Sequence, residues 1–208
     1  MKLYEFKGFP NPGRVRIALA EKGLFDQVAF VPVDVPAGEH KTPEFLAKNP
    51  SGVVPVLELD DGTLISECSA ITDYLDHVSG EPILTGTTAK ERGVIHMRQR
   101  KVEAGLLDAV SAFFHHATDG LGPAIESYQN KDWGLRQKGI ALSTMRWMDD
   151  VLAKQEYLAG DRFTVADITA MAGLAFADFV KIDIPDACAN LRAWRARVSA
   201  RPSAAVAV

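Results

Sequence analysis

Glu67-Cys68 stands where a Leu/Ile-containing stretch gives way to a helical pattern beginning at Ser69. A helix start leaves N–H groups open and carries partial positive charge, so it suits an anion. A thiol in that place can be acidified and reactive. The plainer readings are that Glu67 is a first-turn acid favoured by the helix dipole and Cys68 a small packing residue. His40-Lys41 offers a donor beside a point charge, or simply a solvated loop pair. Val54-Pro55 is an X–Pro step at a strand edge, where cis has a base rate of about 5%. Asn11 carries an amide that can donate to an anion or cap the helix that follows it. The adjacent His115-His116 has no i, i+4 partner with an acid nearby, so no metal site is expected. Thr164-Val165-Ala166-Asp167 has capping-box form with Asp in the usual Glu place, a structural role.

The elements that must position these residues differ between the two parts of the chain. Lys2 to Phe6, Gln27 to Val35, Val53 to Leu59 and Thr63 to Ser66 read as strands. Asp60-Asp61-Gly62 is a hairpin signal between the last two. Helices are expected over Gly13 to Lys22, Pro43 to Lys48 and Ser69 to Val78, with Gly23 a natural stop. The order βαβαββα predicts a mixed sheet with helices. From residue 81 on, apolar residues keep helical spacing. The stripes run through Val102, Leu106, Ala109 and Phe113, then Met145, Met148 and Leu152. They continue in Val165, Ile168, Ala172, Ala175 and Phe179, and close with Leu191, Trp194 and Val198. A helix is expected from Ala89 to about His116. Residues 1–80 form one expected domain, 81–87 a linker and 88–208 a helical domain. The Ala/Val tail, Ala204 to Val208, is expected to fray.

Composition narrows the function classes. Hydrophobic residues are 47% and charged residues 24% of 208, which is ordinary for a globular chain and excludes disorder and fibres. Net charge is -4, with no long basic run, so nucleic acid is not the expected partner. Residues 1–80 hold 7 basic and 12 acidic side chains, net -5, against 16 and 15 in the rest. Two cysteines are too few for a disulfide scaffold, and the first residues lack an apolar signal core, so a reduced, cytoplasmic protein is expected. The most apolar stretch, Phe163 to Val180, contains Asp167 and Asp178 and reads as a buried helix, with no membrane association expected.

Four segments together carry a family resemblance. Asn49-Pro50-Ser51-Gly52-Val53-Val54-Pro55-Val56-Leu57 resembles the NPxGxVPxL segment of cytosolic glutathione transferases. Glu67-Cys68-Ser69-Ala70-Ile71 with Tyr74-Leu75 resembles their ES-x-AI-x-x-YL segment. Phe163 to Ile168 resembles the C-terminal capping signature, and Trp194 to Pro202 the closing helix. The matches are in the family's order and span nearly the whole chain. The resemblance implies a thioredoxin-like α/β N-terminal domain, an all-α helical-bundle C-terminal domain, a homodimer, and glutathione as co-substrate without a metal.

It also implies site roles. A cis Val54–Pro55 bond would free the Val54 N–H and C=O for the ligand's cysteinyl backbone. Glu67 would accept from the glutathione α-amino group, and the helix start at Cys68 would meet the γ-glutamyl carboxylate. Cys68 stands where the family usually has Ser, and a thiol is the poorer donor. His40 and Lys41 match the segment that meets the glycine carboxylate. The catalytic position departs from the family. Ser-type members have Ser or Thr where Phe9 stands, Cys-type members have Cys near Pro12 and Gly13, and Tyr-type members have Tyr near Phe6, Lys7 and Gly8. Asn11 is the remaining thiolate donor, as in some bacterial members. Phe9, Met97, Phe113 and His116 are candidate walls for an apolar electrophile.

The implied activity is conjugation of glutathione thiolate to apolar electrophiles. Two alternatives stay open: glutathione-dependent disulfide or peroxide reduction, and a non-catalytic glutathione-fold binding protein.

Overall fold

The computed structural model describes residues 1–123 and 125–207. The chain divides into two compact units. Residues 1–82, joined by the described residues from Pro202 onward, form one, and residues 83–201 form the other. The helical unit thus ends at Arg201, where a domain reaching 208 was expected.

In the first unit the order is β1 (Lys2–Glu5), α1 (Pro10–Glu21), β2 (Ala29–Pro32), α2 (Pro43–Leu46), β3 (Val56–Glu58), β4 (Leu64–Ser66) and α3 (Cys68–Val78). The sheet runs β2-β1-β3-β4, parallel between β1 and β2 and antiparallel across β1–β3 and β3–β4. This is the mixed, thioredoxin-like layer with helices that the βαβαββα pattern calls for. Leu3 and Leu57 face Val15, Leu19, Ile71 and Leu75 of α1 and α3 in its core. Val33, Phe45 and Val56 form a smaller cluster against which Tyr4 and Val54 pack.

Several boundaries move for local reasons. α1 starts at Pro10 and not Gly13, because Pro10 suits the first helical position. Its N-cap is Phe9, which makes no side-chain cap, so Asn11 does not cap this helix. The expected strand from Gln27 starts at Ala29 because Phe25–Gln27 is a 3-10 turn. The expected strand from Val53 starts at Val56, since the chain bends at Val54 and passes through the cis bond to Pro55 first.

The second unit is helical: α4 (Ala89–Val102), α5 (Asp108–Ala117), α6 (Lys131–Leu152), α7 (Val165–Phe179) and α8 (Ala189–Ser199). The expected helix over Ala89 to His116 is present, interrupted by a π segment at Glu103–Leu107. Gly105 in that segment lies so close to α6 that a Cβ would come within 2.4 Å of Thr144 Oγ1. Phe179, placed in a buried stripe by spacing, is 71% exposed, because it is the last residue of α7. Asp167 is fully buried. It accepts from Leu158 N–H and Trp194 Nε1 at 3.0 Å on one oxygen, and from Thr164 N–H at 3.0 Å and Thr164 Oγ1 at 3.1 Å on the other. Thr164 and Asp167 form the capping box of α7, and Asp167 additionally ties α8 to it. No helix among the described residues is long and apolar enough to cross a membrane.

As far as Ala207 the tail is not frayed, and Val208 lies outside the described residues. Pro202–Val206 is a 3-10 helix lying on α1. Arg16 Nε donates to Val206 O at 2.6 Å while its guanidinium pairs with buried Glu5. The Arg16 guanidinium also lies over the rings of Phe30 (4.4 Å) and Phe25 (5.2 Å). Ser203 Oγ bonds Glu21. Gly13 leaves room for this approach, since a Cβ there would lie 3.1 Å from Ala207 O.

Candidate functional site

The starts of α1 and α3 come together in the first unit. β4 ends at Ser66, and the chain turns through Glu67 at φ 69°, ψ 120°, into α3. Positive φ is uncommon outside glycine and costs on the order of 1–3 kcal/mol. The turn leaves Glu67 exposed at the N-cap, with its carboxylate making no cap hydrogen bond to α3. Cys68 is 7% exposed and packs into the core. Its Sγ donates to the backbone O of Asn11 at 3.4 Å, joining the two helix starts.

Asn11 is the second residue of α1 and is exposed. Its Oδ1 accepts from Arg14 Nη1 at 3.1 Å. Arg14, only 3% exposed, was missed by sequence reasoning, because an arginine at helical spacing reads as a solvated face. Phe9 packs its ring against Phe6, centroids 4.6 Å apart.

Asn49 braces the segment that leads to Pro55 from within. Asn49, 2% exposed, donates from Nδ2 to Val53 O at 2.8 Å and accepts from Ser51 N–H at 3.2 Å. The signal for it was present, since Asn organises turns through its own side chain. The Val54–Pro55 bond is cis. Among the described residues, neither the N–H nor the C=O of Val54 enters a backbone hydrogen bond.

The same segment meets His40 and Lys41, which lie in the 3-10 turn Glu39–Lys41. Lys41 Nζ donates to Gly52 O at 2.8 Å, so it is not a freely solvated loop charge. Gly52 has φ 58°, and a Cβ there would fall 2.9 Å from Lys41 Nζ and 3.1 Å from His40 O. His40 is 7% exposed, and its Nδ1 has no hydrogen-bond partner among the described residues. Burial, and then the charge of Lys41, push its pKa down, so the ring is neutral near pH 7.

The remaining expected residues lie in the helical unit. Met97 is 57% exposed on α4, whereas Phe113 is 8% exposed and sits in the core of that unit. His116 accepts from Asn130 N–H at Nδ1, 3.2 Å. His115 pairs with Glu126 at 2.7 Å, and Leu121 N–H donates to the same oxygen at 2.8 Å. Burial pushes the Glu126 carboxyl up, but Leu121 N–H and His115 outweigh it and hold the pKa below its usual value. The two histidines thus tie α5 to the residues that follow it. No group of three His, Cys, Asp or Glu side chains among the described residues is arranged to hold a metal ion.

Chemically, the first unit assembles an open backbone donor and acceptor, an exposed carboxylate at a helix start, a lysine with a buried histidine, and an amide. Comparisons with known proteins identify the family. The glutathione S-transferase N-terminal domain matches residues 10–78, and the glutathione S-transferase C-terminal domain matches residues 110–202. Glutathione S-transferase 2 of Saccharomyces cerevisiae is 58% identical over 203 residues, covering 98% of this chain and 87% of that protein. Maleylacetoacetate isomerase of Pseudomonas aeruginosa is 34% identical over 168 residues, 78% of this chain and 71% of its own. Among solved structures, a glutathione S-transferase domain-containing protein of Marinobacter aquaeolei superposes with a TM-score of 0.96 at 63% identity, covering 98% and 99% of the two chains. Gtt2 of Saccharomyces cerevisiae superposes at 0.98 with 56% identity over all of both chains.

Proposed function

Because the chain belongs to the glutathione S-transferase family, we propose that it conjugates the thiolate of glutathione to small apolar electrophiles. The observation that carries this reading is Val54, whose backbone N–H and C=O take no backbone partner among the described residues beside the cis bond to Pro55. They are the partners for the cysteinyl backbone of glutathione. Glu67 takes the α-amino group. The N–H groups at the start of α3, from Cys68, take the γ-glutamyl carboxylate. Lys41, with two N–H left after Gly52, takes the glycine carboxylate, and His40 lies next to it as a neutral donor.

Thiolate stabilisation falls to Asn11. A free thiol is mostly protonated at neutral pH, and one good donor lowers its pKa by about one unit. Catalysis is then orientation of thiolate and electrophile together with electrostatic stabilisation. Phe9, Met97 and His116 are the proposed electrophile contacts, and a homodimer in the cytoplasm is the proposed state.

Retention on glutathione resin, followed by turnover with an activated aryl halide and with a disulfide, tests the reading. Conjugation of the aryl halide is expected. Turnover of the disulfide alone would replace the transferase reading by a reductase. Retention without either turnover would replace it by a binding protein.

A further inference from the structure

We propose that Arg14 is a positioning residue for the side-chain amide of Asn11, an inference that rests on the transferase reading above. The first turn of α1 is Pro10-Asn11-Pro12. Neither proline has an N–H. The N–H of the N-cap, Phe9, is spent on Phe6 O at 3.2 Å, and that of Gly13 on Phe9 O at 3.0 Å. A helix start ordinarily leaves four N–H groups open. Here the N-cap and first-turn residues leave one, on Asn11. An anion at this helix start finds little of the usual donor set, so the Asn11 side chain must supply the rest.

An exposed asparagine is a poor donor by itself, because its amide turns and offers an oxygen as readily as a nitrogen. An oxygen presented to a thiolate repels it. Arg14, one turn along, removes that freedom. Its Nη1 donates to Asn11 Oδ1 at 3.1 Å, which commits the carbonyl end to the guanidinium. The two N–H bonds of Nδ2 then leave the amide on the other side. Arg14 is itself 3% exposed, so its head has little room to move. The Asn11 backbone is held as well, because its C=O receives the Cys68 thiol at 3.4 Å. The planar guanidinium fork thus keeps the amide in one orientation.

The experiment is the pKa of the glutathione thiol bound to the full chain, read from thiolate ultraviolet absorbance against pH, with glutathione affinity measured alongside. Asn11→Ala is expected to raise this pKa by about one unit, a tenfold fall in the thiolate-to-thiol ratio at fixed pH. Arg14→Met and Arg14→Lys are each expected to raise it as far, since Lys keeps the charge but loses the fork. The double variant Asn11→Ala/Arg14→Met is expected to go no further. Asn11→Gln leaves Arg14 in place, moves the amide by one methylene on an exposed position, and is also expected to raise the pKa. It serves where the buried Arg14 variants do not fold.

A raised pKa in Asn11→Ala with a wild-type value in Arg14→Met or Asn11→Gln would overturn the positioning role alone. So would a wild-type value in Arg14→Lys or additive shifts in the double variant, because Arg14 would then act by its own charge. A wild-type value in Asn11→Ala, with glutathione bound, would overturn the assignment of Asn11 and the positioning role together.

Discussion

Glu67 carries two separable properties, a carboxylate and a backbone at φ 69°. Replacing it with Ala removes only the first, and the dissociation constant for glutathione is expected to rise tenfold or more by calorimetry, about 1.4 kcal/mol. Replacing it with Gly removes both. Affinity should fall as far, while urea unfolding shows a gain of about 1 kcal/mol as the strained φ is relieved. Equal stability of the Ala and Gly variants would show that the turn is unstrained. Asp167 is the opposite kind of residue, buried and structural. Asp167→Ala leaves the N–H groups of Leu158, Thr164 and Trp194 unpaired in a dry interior. The cost is expected to be about 3 kcal/mol or more, lowering Tm by about 6–12 °C without altering the bound thiol's pKa. Burial pushes the Asp167 carboxyl up from 3.8 to about 6, outweighing its donors. A raised carboxyl means that the folded state holds its proton more tightly. This contribution to stability is complete below pH 3.8 and lost as pH rises through about 6. Buried Glu5 has the same sign, since burial raises it and Arg16 only offsets part. The urea midpoint of the wild type should therefore fall relative to Asp167→Asn between pH 4 and pH 6.

At the scale of elements, the site depends on connections that are short and tightly filled. Gly52 lets the turn holding His40 and Lys41 lie against the segment leading to Val54. Gly52→Ala places a Cβ on Lys41 Nζ and asks a β-carbon to accept φ 58°. Glutathione affinity is expected to fall several-fold and stability by about 1–2 kcal/mol. The π segment between α4 and α5 is filled in the same way. Gly105→Ala would press on Thr144 Oγ1 and is expected to cost about 2 kcal/mol. Adding Thr144→Ala removes the nearest atom and should restore part of that loss in thermal unfolding. Both glycines were visible as residues, but nothing in their neighbours along the chain named Lys41 or Thr144 as the partner. The hairpin at Asp60-Asp61-Gly62 and the capping box at Thr164 were legible, because each is complete within a few residues.

At the scale of the molecule, the chain's last described segment returns to the first unit. Arg16, buried beside Glu5, joins two phenylalanine rings and the Val206 carbonyl in one cluster. Deleting the residues after Arg201 strips that carbonyl, the Ser203–Glu21 bond and the cover over Gly13. A loss of about 2 kcal/mol is expected, lowering Tm by about 4–8 °C, with amide exchange accelerating first in α1. Unchanged exchange there would show that the tail is decoration.

What this sequence determined by itself was everything carried by short spacing. The switch from strand pairs to helical stripes near residue 80, the helix starts marked by Thr-x-x-Asp and Pro, and the order of the family segments could all be read, because periodicity and capping act within a few residues. What only the tertiary structure decided joins residues far apart in the chain. Cys68 reaches Asn11 across 57 positions and Arg16 reaches Val206 across 190. The conformation of Glu67, the open backbone of Val54 and the seating of the tail follow from such contacts. A residue's neighbours along the chain constrain its backbone preference, whereas its burial and its hydrogen-bond partner depend on which distant surface packs against it.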